Sequence, residues 1–137
     1  MTQKKLCRKN AYPNVPRSRN RFKYHQEGEL SPAEKLYQQV LQVEPHHSEA
    51  LHLLGIIATQ MGNYETAVDL INQAILIDNS SPSFYNNLGN AFWHLGLMPD
   101  AVACFQQALA LNPDFTEAYN KLGNVFKEEN KLYKATT

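Results

Sequence analysis

Residues 85–96 read YNNLGNAFWHLG and residues 119–130 read YNKLGNVFKEEN. Each sets a glycine, Gly89 or Gly123, inside a series whose apolar residues recur at helical spacing. In the first, Tyr85, Leu88, Phe92 and Leu95 fall at i, i+3, i+7 and i+10, one face of a helix. A glycine in a helix interior costs about 1 kcal/mol relative to alanine. Its return at the same place implies that the fold needs something there that alanine would not give.

The interval between the two glycines is 34 residues, and it governs much of the chain. Leu54-Gly55, Leu88-Gly89 and Leu122-Gly123 share it, as do Ala33, Ala67, Ala101 and Ala135. Gly28, Gly62 and Gly96 follow the same period, with Asn130 in the fourth place. Tyr37, Ile71 and Phe105 align, and so do Val40, Ala74 and Ala108. Pro45 and Pro113 align with Asn79 between them. So many registers at one spacing mark a tandem repeat.

One unit reads as two helices. After the Tyr85–Leu95 series, HLGLMPD supplies a turn around Gly96, and a second apolar series follows at Ala101, Phe105, Ala108 and Leu109. LNPDF ends it, because a proline beyond the last turn cannot continue a helix. Parallel helices are expected over roughly 31–43, 48–60, 64–76 and 116–128, with no strand-like alternation. Two antiparallel helices approach most closely where side chains vanish. The expectation is that Gly89, with Ala101 across from it, brings the axes together while Leu88, Phe92 and Phe105 fill the surrounding space. Burial of each large side chain is worth about 1.5–3 kcal/mol, which outweighs the glycine's cost.

Charge divides the chain. Lys4, Lys5, Arg8, Lys9, Arg17, Arg19, Arg21 and Lys23 stand in residues 1–26 without an acid, whereas Lys35 is the only base against the acids of residues 27–120. A basic arm is joined to an acidic body. Only Cys7 and Cys104 are present, too few for a disulfide framework or a metal motif. Cys104, beside Phe105, reads as a small semi-buried hydrophobe. No apolar run reaches the ~18 residues of a membrane span, and the charged N-terminus lacks the apolar stretch of a secretory signal. A cytoplasmic protein is the default expectation.

The pattern closely resembles the tetratricopeptide repeat, a 34-residue helix pair carrying Leu-Gly, a later alanine, an aromatic or aliphatic residue, a second alanine and a terminal proline. The resemblance implies an all-α fold, an α-solenoid of antiparallel helix pairs wound as a right-handed superhelix, with the first helix of each pair lining the inner wall. The expected organisation is a basic arm at 1–26 and an array at 27–137. A degenerate repeat spans 14–47, with Asn20 and Arg21 where Leu-Gly should stand. Full repeats follow at 48–81 and 82–115, and a truncated repeat at 116–137. The units NNLGNAF and NPDFTEAYNKLGNVFKEENKLYKA also resemble the repeats that precede the catalytic domain of O-linked N-acetylglucosamine transferases. In that family an asparagine before Leu-Gly forms a ladder along the inner wall. Asn87 matches it, and Leu53 and Lys121 do not.

No phosphate loop, paired catalytic carboxylate, nucleophile elbow or zinc spacing is visible, so no enzymatic chemistry, cofactor or metal is expected. His46, His47 and His52 cluster, but in a loop and the following helix turn, where solvation is the plainer reading than a three-histidine site. What remains is a surface. Removing the core face of the helix at 82 leaves Ser83, Asn86, Asn87, Asn90, Trp93 and His94 at helical spacing. The helix at 116 offers Glu117, Asn120, Lys121, Asn124, Lys127 and Glu128, and the helix at 48 offers Glu49, His52, Leu53, Ile56, Thr59 and Gln60.

Amides carry both a donor and an acceptor for main-chain groups, and tryptophan is a common anchor. The candidate partner-binding residues are therefore Asn86, Asn87, Asn90, Trp93, Asn120, Lys121, Asn124, Lys127 and His52, and the expected partner is a protein or peptide held on the inner face. A clamp for a C-terminal carboxylate, as in chaperone-binding members of the family, is fitted by Asn87 and by Lys121 in place of an arginine. His52, Ile56 and Glu117 depart from it, and an acid there would repel the carboxylate. Two alternatives stand beside the scaffold reading. One is the recognition arm of a glycosyltransferase; the other is a nucleic-acid adaptor acting through the basic arm, though such an arm is more often a solvated tail. Finally, the helix at 116–128 lacks a second helix to cover it, so its face should be exposed, frayed or covered by another copy.

Overall fold

A computed structural model describes residues 31–136, with side chains described as far as Lys131. The basic arm at 1–26, and with it the nucleic-acid reading, lies outside the described residues. Six helices follow one another, and there are no strands among the described residues: α1 (Pro32–Val43), α2 (Ser48–Gln60), α3 (Tyr64–Ile77), α4 (Pro82–His94), α5 (Met98–Leu111) and α6 (Thr116–Thr136). The architecture is an α-helical repeat solenoid.

Local chemistry sets the helix ends. Ser31 opens α1 with a capping box: its hydroxyl accepts from the Glu34 N–H at 3.1 Å, and the Glu34 carboxylate accepts from the Ser31 N–H at 3.0 Å. α2 is capped by His47, whose Nδ1 accepts from the Ala50 N–H at 3.1 Å. Within each complete pair the turn depends on one glycine. Gly62 and Gly96 have φ of 82° and 80°, a left-handed conformation that side chains disfavour. The N–H groups three residues beyond the helix then fold back, Asn63 to the Ala58 carbonyl at 2.8 Å and Leu97 to the Phe92 carbonyl at 2.9 Å. The loops between pairs use a different device. Asp78 accepts from the Ser80 N–H at 3.0 Å, and Asn112 accepts from the Asp114 N–H at 3.1 Å.

The core runs through both complete pairs. Leu54, Leu88, Ala67, Ala101, Ile71, Phe105, Ala74 and Ala108 are all buried, as is Cys104. The repeated glycine is a packing residue, and the side chain nearest it is the large one of the second helix. A Cβ on Gly89 would lie 2.8 Å from the Phe105 ring, and a Cβ on Gly55 would meet the side chain of Ile71 and, at 3.5 Å, the carbonyl oxygen of Ala67, the counterpart of Ala101. Phe105 and Ile71 share one repeat position. A bulky side chain on the second helix fills the notch that glycine leaves in the first.

α6 departs from expectation in length. The register of Gly62 and Gly96 falls on Asn130, yet the helix runs through to Thr136. Asn130 carries a Cβ, which makes the left-handed turn costly, and no non-glycine residue among those described adopts positive φ. The surrounding Lys and Glu residues are good helix formers.

Candidate functional site

α2, α4 and α6 are the first helices of successive units, and two hydrogen bonds tie them into one wall. Asn87 Nδ2 of α4 lies 2.8 Å from His52 Nε2 of α2. Lys121 Nζ of α6 donates to Asn90 Oδ1 of α4 at 3.2 Å. The Lys121 ammonium also stands 5.9 Å from the centroid of the half-buried Trp93 ring, a cation–π contact. His52, Asn87, Asn90, Trp93 and Lys121 are thus brought together, while Asn120, Asn124 and Lys127 lie exposed along α6.

Two of the expected contacts sit differently. Asn86 is 2% exposed and His52 is 5% exposed, so neither presents an open side chain to the wall. They occupy the same repeat position, whose third member, Asn120, is exposed. Helical spacing assigned them to the polar face; in the folded array both are covered, His52 by Phe84 of α4. His52 packs against Phe84, ring centroids 4.5 Å apart. Burial lowers its pKa below the usual histidine value, against a smaller opposite pull from Glu49. A neutral imidazole whose Nε2 accepts from the Asn87 amide fits both observations.

The other histidines are engaged separately. His47 is spent on its cap and has Nε2 4.0 Å from Glu44 Oε1, while His46 is exposed. Among the described residues, no three His, Cys, Asp or Glu side chains are grouped to hold a metal ion.

Sequence reasoning missed two features. His94 stacks on Tyr64 with centroids 4.6 Å apart and planes at 4°, extending the Trp93 cluster onto the second helix of the preceding pair. Nothing in the spacing of residues 64 and 94 announces this. The second is Asp69, buried in α3, whose carboxyl is pushed up to about 7 by burial and then by the charge of Glu65. A lone acid in the apolar run AVDLI was its signal.

Two models of the tetratricopeptide repeat match the chain, one over residues 24–90 and one over 82–115. The chain belongs to the tetratricopeptide repeat family. Among solved structures, the crystal structure of MamA aligns to this tetratricopeptide array with a TM-score of 0.68 at 29% identity, over 82% of this chain and 66% of that one. An O-GlcNAc transferase of Thermobaculum terrenum aligns with a TM-score of 0.68 at 30% identity, over 90% of this chain and 22% of the transferase. The chain therefore spans under two thirds of MamA's length and about a fifth of the transferase's. The first repeat domain of Spaghetti (RPAP3), solved with the HSP90 peptide SRMEEVD, shares the fold with a TM-score of 0.70 at 17% identity. A search of curated protein sequences found no match. No helix among the described residues is long and apolar enough to cross a membrane.

Proposed function

We propose that this tetratricopeptide array is a non-enzymatic scaffold that holds an extended segment of a partner protein along the wall of α2, α4 and α6. The observation that carries the reading is the Asn90–Lys121–Trp93 cluster. Lys121 is steadied by an amide oxygen and an aromatic face at once, so its ammonium and the Asn90 amide are positioned before any partner arrives. Each keeps hydrogen-bonding capacity beyond the bond it makes: the Asn90 Nδ2 donors, further N–H groups of Lys121, and the Asn87 Oδ1 acceptor. Donors and acceptors alternating along a groove suit the N–H and C=O groups of an extended backbone. Preorganisation spares the ordering cost that a mobile surface would incur on binding.

The test is a selection from a phage-displayed random peptide library on the full chain, followed by titration of the selected peptides. Trp93→Ala and Asn87→Ala should each weaken binding about tenfold or more, the scale of a loss of 1.4 kcal/mol. Unchanged affinity in both variants would remove the wall from the account.

A further inference from the structure

Asn87 and Asn90 stand one turn apart on α4 and are tied to opposite neighbours by opposite ends of their side chains. Asn87 reaches back to α2 with its nitrogen, Nδ2 lying 2.8 Å from His52 Nε2. Asn90 reaches forward to α6 with its oxygen, Oδ1 accepting from Lys121 Nζ at 3.2 Å. An ammonium can only donate, so the Asn90 amide has one sense open to it. An amide nitrogen likewise only donates, so His52 Nε2 is the acceptor and carries no proton. Asn87 is left with Oδ1, an acceptor, for the groove. Asn90 is left with the hydrogens of Nδ2, about 4.5 Å further along the helix axis. Both asparagines are half-buried with a helix on either side, in the middle of the array. Leu53 and Lys121 stand at the register of Asn87, so neither of the other first helices repeats the arrangement.

The surroundings of His52 keep its ring in the form this needs. It is 5% exposed and packs on Phe84 of α4, with ring centroids 4.5 Å apart. α4 meets it with Phe84 and Asn87, neither of them charged. Among the described residues α1 and α3 bring no charge that acts on it, and the one that does is Glu49, one turn earlier on α2. Burial outweighs that charge and holds the imidazole below the usual histidine value of 6.5, so it is neutral at pH 7.

We propose that His52 and Lys121 are positioning residues, fixing the two asparagines in opposite senses so that the groove reads a hydrogen-bond donor of the partner opposite Asn87 and an acceptor opposite Asn90. For the partner this rests on the scaffold reading; the sense of the two amides does not. A proton on His52 makes both ring nitrogens donors. Asn87 must then turn Oδ1 toward the ring and Nδ2 toward the groove, and the wall offers donors at both positions. Recognition is thereby tied to the protonation of one buried histidine.

The test is nitrogen NMR of the labelled full chain from pH 8 downward, with peptides selected on the wall as a second arm. At pH 8, His52 Nε2 should carry no proton. As pH falls below the usual histidine value, the Asn87 side-chain amide should shift with the same midpoint as the His52 ring. The Asn90 amide, which has no imidazole partner, should stay in place, and Lys121→Met should move it while leaving Asn87 unchanged. In His52→Gln, whose side-chain oxygen still accepts from Asn87, the Asn87 titration should vanish. Peptide affinity should fall about fivefold across the His52 midpoint, the scale of one exchanged hydrogen bond, and stay flat in His52→Gln. A proton on His52 Nε2 at pH 8, or an Asn87 amide that ignores the titration of the ring, overturns the proposal, and the parent chain shows either without a partner. So does an Asn90 amide indifferent to Lys121→Met. Peptides that bind equally across the titration overturn it too, while leaving the scaffold reading intact. A selection that yields no wall-dependent peptide overturns the scaffold reading, and the spectra then decide the sense of the amides by themselves.

Discussion

Phe92 and Phe126 stand at one repeat position in nearly the same words of sequence, LGNAF and LGNVF. One is buried at 1% exposure and the other lies open at 51%. Gly89 and Gly123 differ in the same way: a Cβ on the first would press on Phe105, and a Cβ on the second would meet no side chain or neighbouring helix within 4 Å. Identical local patterns thus hold very different energies. In a repeat array a residue's worth is set by the helix stacked against it, since stability is a sum of unit and neighbour terms.

Substitutions at matched positions can break or sharpen that contrast. The largest effect should come from Phe92→Ala, which empties a fully packed site and should cost about 3–5 kcal/mol in urea unfolding. Phe126→Ala, measured on the monomer, should stay within about 0.5 kcal/mol. Equal losses from the two would mean that α6 is covered in solution.

A second contrast sets Asp69 of α3 beside Ala103, its counterpart in α5. Asp69 holds its proton up to about 7 in the folded protein, against 3.8 ordinarily, because burial disfavours the charge. Between those values the folded state binds more protons than the unfolded one, so this carboxyl makes stability fall as pH rises from about 4 through 7. Asp69→Ala should therefore stabilise the protein by about 2 kcal/mol at pH 8 and by little at pH 4, read from urea midpoints at the two pH values. A gain independent of pH would show that the carboxylate is solvated.

The smallest contrast is between the glycines themselves. Gly89→Ala should lose about 1–2 kcal/mol, because overpacking against the buried Phe105 ring exceeds the gain in helix propensity. Gly123→Ala meets no obstacle and should gain up to about 1 kcal/mol, visible as a small rise in melting temperature. A loss at position 123 would place a packed neighbour there.

Much of the fold was legible because it is written three times. The 34-residue period, the Leu-Gly pairs and the turn glycines at 62 and 96 each name a local geometry that few other residues could adopt. The wall was legible in part. Asn87, Asn90, Trp93 and Lys121 were found as a polar stripe, because helical spacing reports which residues share a face. It does not report what a neighbouring helix will cover, and Asn86 and His52 are buried in the array.

By itself, then, the sequence determined the helix pairs, where they begin, where all but the last stop, and that glycine serves close packing. Those are properties of a residue and its near neighbours along the chain, where sterics and hydrogen bonds act over one or two turns. Only the tertiary structure decided how closely the Phe105 ring presses on Gly89. It alone joined His52 to Asn87 and Lys121 to Asn90, and buried Asp69. Those outcomes depend on atoms brought together from residues some 16 to 35 places apart, and on which helix faces have a neighbour to pack against.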